Sequence, residues 1–287
     1  MQIFCYFCIM LRNYFYIILF LTVILSVNCS KSRNSSPTAS SVNASDTATR
    51  IANQVIQTDS FVGTAQGKSG LIDVYIDYPM GGPEKAVSSI REFIKSTLFE
   101  ENVSNVPDDP SIIVEEYCRQ RSTALQNTLE QMGLTKVSRN EVPEEGTEIK
   151  LLFATEKYAT YEVYRYSYLT NGAHGEYSDY GVTFRLSDGR RLGNIIRKVD
   201  EELYSHILQG MKRYFKVNSD RELASICTVD LNLMPMPTFP AYLTEEGVCL
   251  HYSIYDICPF EYGDPKLTIP YDVCLPYLTD EARDLVR

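Results

Sequence analysis

The residues able to do chemistry are few and widely spaced. The chain has only three histidines: His174, His206 and His251. No two lie close enough in sequence to form the short-spaced ligand pair of most metal sites, so no metal-ligating set is assigned. His206 falls within a helical pattern and His251 within a strand pattern, where packed or solvated histidines are the norm. His174 differs. It sits in Tyr166–Tyr177, YSYLTNGAHGEY, between small residues and glycines that let the backbone turn sharply or pass close to a neighbour. It can act as a ligand contact, or lock the turn by hydrogen-bonding into the sheet.

Tyrosine is the other abundant functional side chain. Along YEVYRYSYL, strand alternation puts Tyr164, Tyr166 and Tyr168 on one face and Tyr161, Val163 and Arg165 on the other. A tyrosine face can stack on sugars or anchor a protein, because it offers large area at low entropic cost. It can equally cover the amphipathic helix expected at 200–215, and that core role is the expectation here. Asn171 and Tyr177 flank His174 and complete the ligand-binding candidates.

Other chemistry is thinly supported. There is no G-x-S-x-G nucleophile elbow. Glu144-Glu145 and Glu245-Glu246 are adjacent carboxylates beside Pro143 and Gly247. They read as solvated turn residues with no cause for a shifted pKa. No catalytic residue and no cofactor is assigned, and the chain reads as a non-enzyme. A net charge of -10 argues against nucleic acid as a partner, since that needs a basic face.

The elements that must position these residues follow from periodicity. LIDVYIDYP alternates as a half-buried strand. EKAVSSIREFIKSTLFEE and residues 111–132 carry apolar residues at helical spacing. Strands follow at 148–169 and 176–186, then the turn SDGRR, whose Asp-Gly suits a positive φ. A helix spans 200–215 with Asp200 as its N-cap. A hairpin at 239–257, a strand at 266–278 and a terminal helix close the chain. The order is not a regular βαβ alternation. It predicts an α+β protein with a mostly antiparallel sheet packed by helices, preceded by a smaller N-terminal α/β portion.

The N-terminus has its own signature. Only Arg12 is charged in residues 1–29, and the apolar run from Phe15 to Leu25 ends at Ser26-Val27-Asn28-Cys29. This is the pattern of a secretory signal, with translation starting at Met1 or Met10. The cysteine at its end resembles a lipobox, which makes Cys29 the expected lipidation site. Residues 30–60 are rich in Ser, Thr, Asn and Ala and read as a tether. Cys118, Cys227, Cys249, Cys258 and Cys274 then remain. Their odd number leaves at least one thiol unpaired, sequence alone does not give a disulfide pairing, and buried free thiols are the default.

Three pieces occur in a specific order: NGAHG after an aromatic strand, a strand with the SDGRRL turn, and FPAYLTEEGVCLHYSIYDICPFEYGDPKLTIPYDVCLPYL. Together they resemble the RsiV/PdaC-type extracytoplasmic domain family. That family carries Gly-Gly-Ala-His-Gly, where Asn171 here replaces the first glycine. Ile254–Phe260 is similar to its Y-x-I-A-P-Y stretch, with Cys258 for the small residue, and Ile269-Pro270-Tyr271 to its iPY element. The resemblance covers about residues 148–280 and implies an N-terminal subdomain at 61–147 and an RsiV-like domain at 148–287. It implies binding of a lysozyme-like or peptidoglycan-directed protein by a sensing lipoprotein on the bacterial cell envelope, in the periplasm or at the outer membrane. The alternative is a protein that binds or modifies cell-wall carbohydrate. The sigma-binding segment and the deacetylase metal signature of family members have no counterpart here.

Overall fold

The computed structural model describes residues 54–67, 70–100, 106–134, 142–169 and 174–287. The signal segment at 1–29 with Cys29, the tether up to residue 53, and Asn171 lie outside these residues. Among the described residues, no helix is long and apolar enough to cross a membrane.

The first sheet has the order β1-β2-β3-β4-β5. β1 (Gln57–Gly67) and β2 (Gly70–Gly81) form an antiparallel hairpin. Two helices then cross over, α1 (Glu84–Phe99) and α2 (Pro110–Gln131). They return the chain to β3 (Glu144–Ala154), which pairs parallel with β2. β4 (Tyr158–Tyr168) and β5 (Glu176–Arg185) continue antiparallel. The α+β class and the mostly antiparallel pairing are as the periodicity predicts. Gly189, in the predicted Asp-Gly turn after β5, has φ +75°.

The helices cover one face of this sheet only. Ile72, Val74 and Ile76 point into that core, and Asp73, Tyr75 and Asp77 point away. From α1 come Ile90, Phe93 and Ile94; from α2, Ile113 and Leu125. Asp109 starts α2 by accepting from the backbone N–H of Ser111 at 2.9 Å, with Pro110 in the first turn. A hydrogen bond of 2.8 Å between the Tyr117 hydroxyl and Thr147 Oγ1 fixes α2 against β3. On β4, Tyr161 and Val163 join the helix-side core.

A second core forms around a smaller sheet of β6 (Tyr242–Leu243), β7 (Gly247–His251) and β8 (Lys266–Pro270). α3 (Glu201–Phe215) packs on β8, and its predicted apolar face is confirmed, with Leu203, Ile207 and Met211 buried. Asp200 caps it by accepting from Leu203 N at 3.1 Å. α4 (Asp220–Ile226), α5 (Tyr271–Cys274) and α6 (Asp280–Val286) complete this half.

Three expectations are corrected. The boundary at 147/148 falls inside β3, and residues 61–147 share one sheet with β4 and β5, because β2 and β3 pair directly. Gln57–Ser60, assigned by composition to the tether, are strand: β2 supplies ladder partners for their backbone, and Ile56 just before them is buried. Glu144-Glu145 begin β3 rather than a turn, and Glu145 accepts from Arg121 of α2 at 2.5 Å.

Candidate functional site

The open face of the large sheet carries the candidate tyrosines. In register, Tyr166 lies opposite Tyr177 on β5 and Gly146 on β3, while Tyr164 lies opposite Asp179 and Glu148. All six positions therefore share the face that the helices leave uncovered. The smaller sheet covers the far end of that face: Leu243 N donates to Thr183 Oγ1 at 3.0 Å, and Lys266 of β8 reaches Glu162 at 2.8 Å. The tyrosine end stays half-buried rather than sealed.

The expectation that Tyr164, Tyr166 and Tyr168 form a core under α3 is therefore corrected. β8 is what α3 packs on. The tyrosines instead contact one another, with ring centroids 6.1 Å apart for Tyr164–Tyr166 and 6.2 Å for Tyr164–Tyr177. Tyr177 passes the contact on to Phe260 at 6.0 Å. These spacings are in the range of attractive aromatic pairs. Tyr168 shares the face by alternation and lies beside Gly175, and it takes part in none of the described ring contacts.

His174 closes the track from the other side. Its ring stacks on Phe260 at 3.8 Å with the planes 19° apart. Nδ1–H donates to its neighbour's carbonyl, Gly175 O, at 2.9 Å, which leaves Nε2 to accept from the Tyr255 hydroxyl at 3.2 Å. The expected hydrogen bond into its own sheet is replaced by these contacts. The histidine grips the 252–263 segment, not its own sheet. Tyr255 itself has φ +69° and is 59% exposed. A bulky side chain in the left-handed region stores of order 1–3 kcal/mol and persists only where surroundings hold it.

Gly146 makes the track possible. A Cβ there would stand 2.0 Å from Tyr166 Cε1, so the ring lies flat over the glycine. From that position the Tyr166 hydroxyl donates to Asp73 Oδ2 at 3.4 Å. Burial, then the Asp73 charge, push this phenol well above its ordinary range. Gly146→Ala is expected to lift Tyr166 off the sheet at a cost of about 1 kcal/mol. Phenol absorbance titration checks this: one further tyrosine ionises near the ordinary value of 10.0.

Carboxylates border the rings. Asp77 accepts from Tyr75, Ser60 and Leu151 N at 2.7–2.9 Å. The Tyr177 hydroxyl donates to Asp264 Oδ1 at 3.4 Å, and burial, then this carboxylate, push it up to about 12. Beneath the track, Glu162, Asp179, Lys266, His251 and Asp264 form a polar cluster in which Asp179 and His251 are buried. Lys266 donates to Asp179 and Glu162; His251 Nε2–H donates to Asp264 Oδ2 at 3.0 Å. Burial raises the Asp179 carboxyl against the pull of Lys266. Asp264 is also raised by burial, but the hydrogen bond and charge of His251 outweigh it and hold it low. Asp179, His251 and Asp264 offer a ligand atom each within 4.8 Å of one another. The sequence reading assigned no such set, because no short spacing links β5, β7 and the loop before β8.

A cleft of about 350 Å³ opens where β4 and β5 run toward the His174 turn, with Tyr166, Tyr177, Arg165, Arg121 and Glu176 among its walls. The five described cysteines are free. Burial pushes the thiols of Cys118, Cys249, Cys258 and Cys274 up to about 11, which keeps them protonated and poor nucleophiles. His206, on α3, lies outside the track.

No protein-family model and no curated protein matches the chain. Solved structures do. A member of the DUF3298 family from Bacteroides fragilis superposes with a TM-score of 0.64 at 21% identity, over 81% of this chain and 97% of that one. The fold is the one seen in DUF3298 proteins. A second such protein, from Pseudomonas aeruginosa, gives a TM-score of 0.52 at 16% identity, over 79% of this chain and 95% of that one. Sequence reasoning had found His174 and the tyrosines but missed Phe260 and Tyr255 as their partners. The signal was present: both lie in the Ile254–Phe260 stretch that carries the family resemblance.

Proposed function

We propose that this chain is a binding or sensing lipoprotein of the bacterial cell envelope, related to the RsiV/PdaC-type domains and anchored through Cys29. Its recognition surface is the aromatic track His174–Phe260–Tyr177–Tyr164–Tyr166. The partner is a basic, lysozyme-like or peptidoglycan-directed protein. The observation that carries this reading is the track itself: rings in continuous contact on an uncovered sheet face, bordered by Asp73, Asp77 and Glu148. Half-exposed aromatics that are already ordered lose little entropy on binding, and the carboxylates steer a cationic protein. The acidic net charge of -10 acts in the same direction.

Cell-wall glycan is the second reading, since the adjacent Tyr164 and Tyr166 rings, 33° apart, present faces on which a sugar can stack. Titrating the protein with lysozyme and, separately, with purified peptidoglycan distinguishes the two. Binding of glycan alone sinks the protein-partner reading; turnover of glycan sinks the non-enzymatic one. His174→Ala is expected to weaken lysozyme binding at least tenfold while the melting temperature holds, because the ring is exposed and its hydrogen bonds contribute about 0.5–1.5 kcal/mol each at most. His174→Gln, which keeps an amide donor and acceptor, retains part of the affinity. Equal binding by all three proteins removes the turn from the interface.

A further inference from the structure

The geometry points to a divalent metal site formed by Asp179, His251 and Asp264, with the Lys266 ammonium as the counter-ion that stands in for the metal. One ligand atom from each of the three lies within 4.8 Å of the others. The His251–Asp264 edge, at 3.0 Å, is a few tenths of an ångström shorter than the roughly 3.3 Å between two ligands of a tetrahedral ion, so a small opening of the pair and loss of the Nε2 proton would admit the metal.

A further observation points to a ligand. Asp179 is 7% exposed and its Oδ1 has no hydrogen-bond partner, although its Oδ2 is held by Lys266 within the cluster. His251 is 2% exposed, so the edge it shares with Asp264 is shielded from water. Buried polar atoms without partners are rare in folded proteins, and an ion is one of the things that satisfies them. The charge count agrees. Once His251 gives up its Nε2 proton to act as a ligand, Glu162, Asp179 and Asp264 are three carboxylates around one ammonium, an imbalance that a doubly charged ion would cancel.

A nitrogen and two carboxylate oxygens suit Zn²⁺ and neighbouring transition metals better than Ca²⁺ or Mg²⁺, which prefer all-oxygen shells. Lys266 is not a fixed obstacle. Its side chain is 37% exposed on a flexible stem and can turn outward when the metal enters. Three protein ligands leave a fourth position to water or to a group on a partner. That position is near the recognition surface, because Asp264 also accepts from Tyr177 of the aromatic track. The site does not depend on which partner the track binds.

The test uses the full chain stripped with chelator and titrated calorimetrically with ZnCl₂, with CaCl₂ in parallel. One Zn²⁺ per chain, a melting temperature raised by several degrees and no response to Ca²⁺ are expected. Asp264→Asn should weaken Zn²⁺ binding at least a hundredfold. Asp264 is the most exposed of the three ligands, at 23%, so this variant should fold. Lys266→Met keeps all three ligands and removes the competing charge, so it should bind Zn²⁺ at least tenfold more tightly. His206→Ala should bind as the parent does. Any of three results overturns the proposal: no stoichiometric binding, affinity unchanged in both Asp264→Asn and Lys266→Met, or a Co²⁺ spectrum with thiolate charge-transfer bands, which would place the metal on the cysteines.

Discussion

In chelator-treated protein, Lys266→Met should lower the stability measured by urea unfolding by about 3 kcal/mol, near the low end of what removing one partner of a buried ion pair costs. The reason is what remains. Asp179 is 7% exposed, and Lys266 is its hydrogen-bonding counter-ion. Without the ammonium, a carboxylate stays in the interior with no donor on either oxygen, and Glu162 loses its partner at 2.8 Å as well. The 37% exposure of the Lys266 side chain keeps the cost at the low end, since solvent screens part of the pair. A double-mutant cycle isolates the cause. Lys266→Met with Asp179→Asn should recover most of the loss, because an amide needs no counter-ion and is cheaper to bury than a charge. If the double variant is as unstable as the single one, the lysine stabilises by packing its stem over the smaller sheet instead.

How much of this was legible in the sequence depends on distance along the chain. β2 could be read directly, because Ile72, Val74 and Ile76 alternate with Asp73, Tyr75 and Asp77 and only one face is covered. The same logic separated Tyr164 and Tyr166 from Tyr161 and Val163. β1 was invisible because QTDSFVGTAQG is an edge strand with neither face fully buried, so no alternation marks it. The parallel pairing of β2 with β3 was also out of reach. It is set by the packing of α1 and α2 between them, and it is why the boundary drawn at 147/148 fails. For the site, local glycines announced that the His174 turn was special. That its ring would stack on Phe260, and that Asp179 would meet His251 and Asp264, depends on how the smaller sheet docks on the larger one. No short spacing encodes that docking.

Phe260 is where the two halves of the proposed recognition surface meet, and Phe260→Ala should be the most damaging single change to binding. Its ring touches His174 at 3.8 Å, Tyr177 at 6.0 Å and Tyr255 at 6.1 Å. Truncation removes the surface on which His174 stacks and leaves Tyr177 without its neighbour. Aromatic anchors at the centre of an interface typically cost about 2 kcal/mol or more when cut to alanine, so lysozyme affinity should fall on the order of thirtyfold or more. Phe260→Leu, which keeps apolar area but cannot stack, should fall between the two. Leu233→Ala is the control: Leu233 is 78% exposed and belongs to none of these ring contacts, so its loss should leave affinity unchanged. A second readout needs no partner. In the free protein, the His174 ring protons should show a ring-current shift in the NMR spectrum that disappears in Phe260→Ala and persists in Leu233→Ala. Loss of the shift without loss of binding would mean that the stack holds the turn but does not meet the partner. Recognition would then fall to Tyr164 and Tyr166 over Gly146, the part of the track furthest from the histidine.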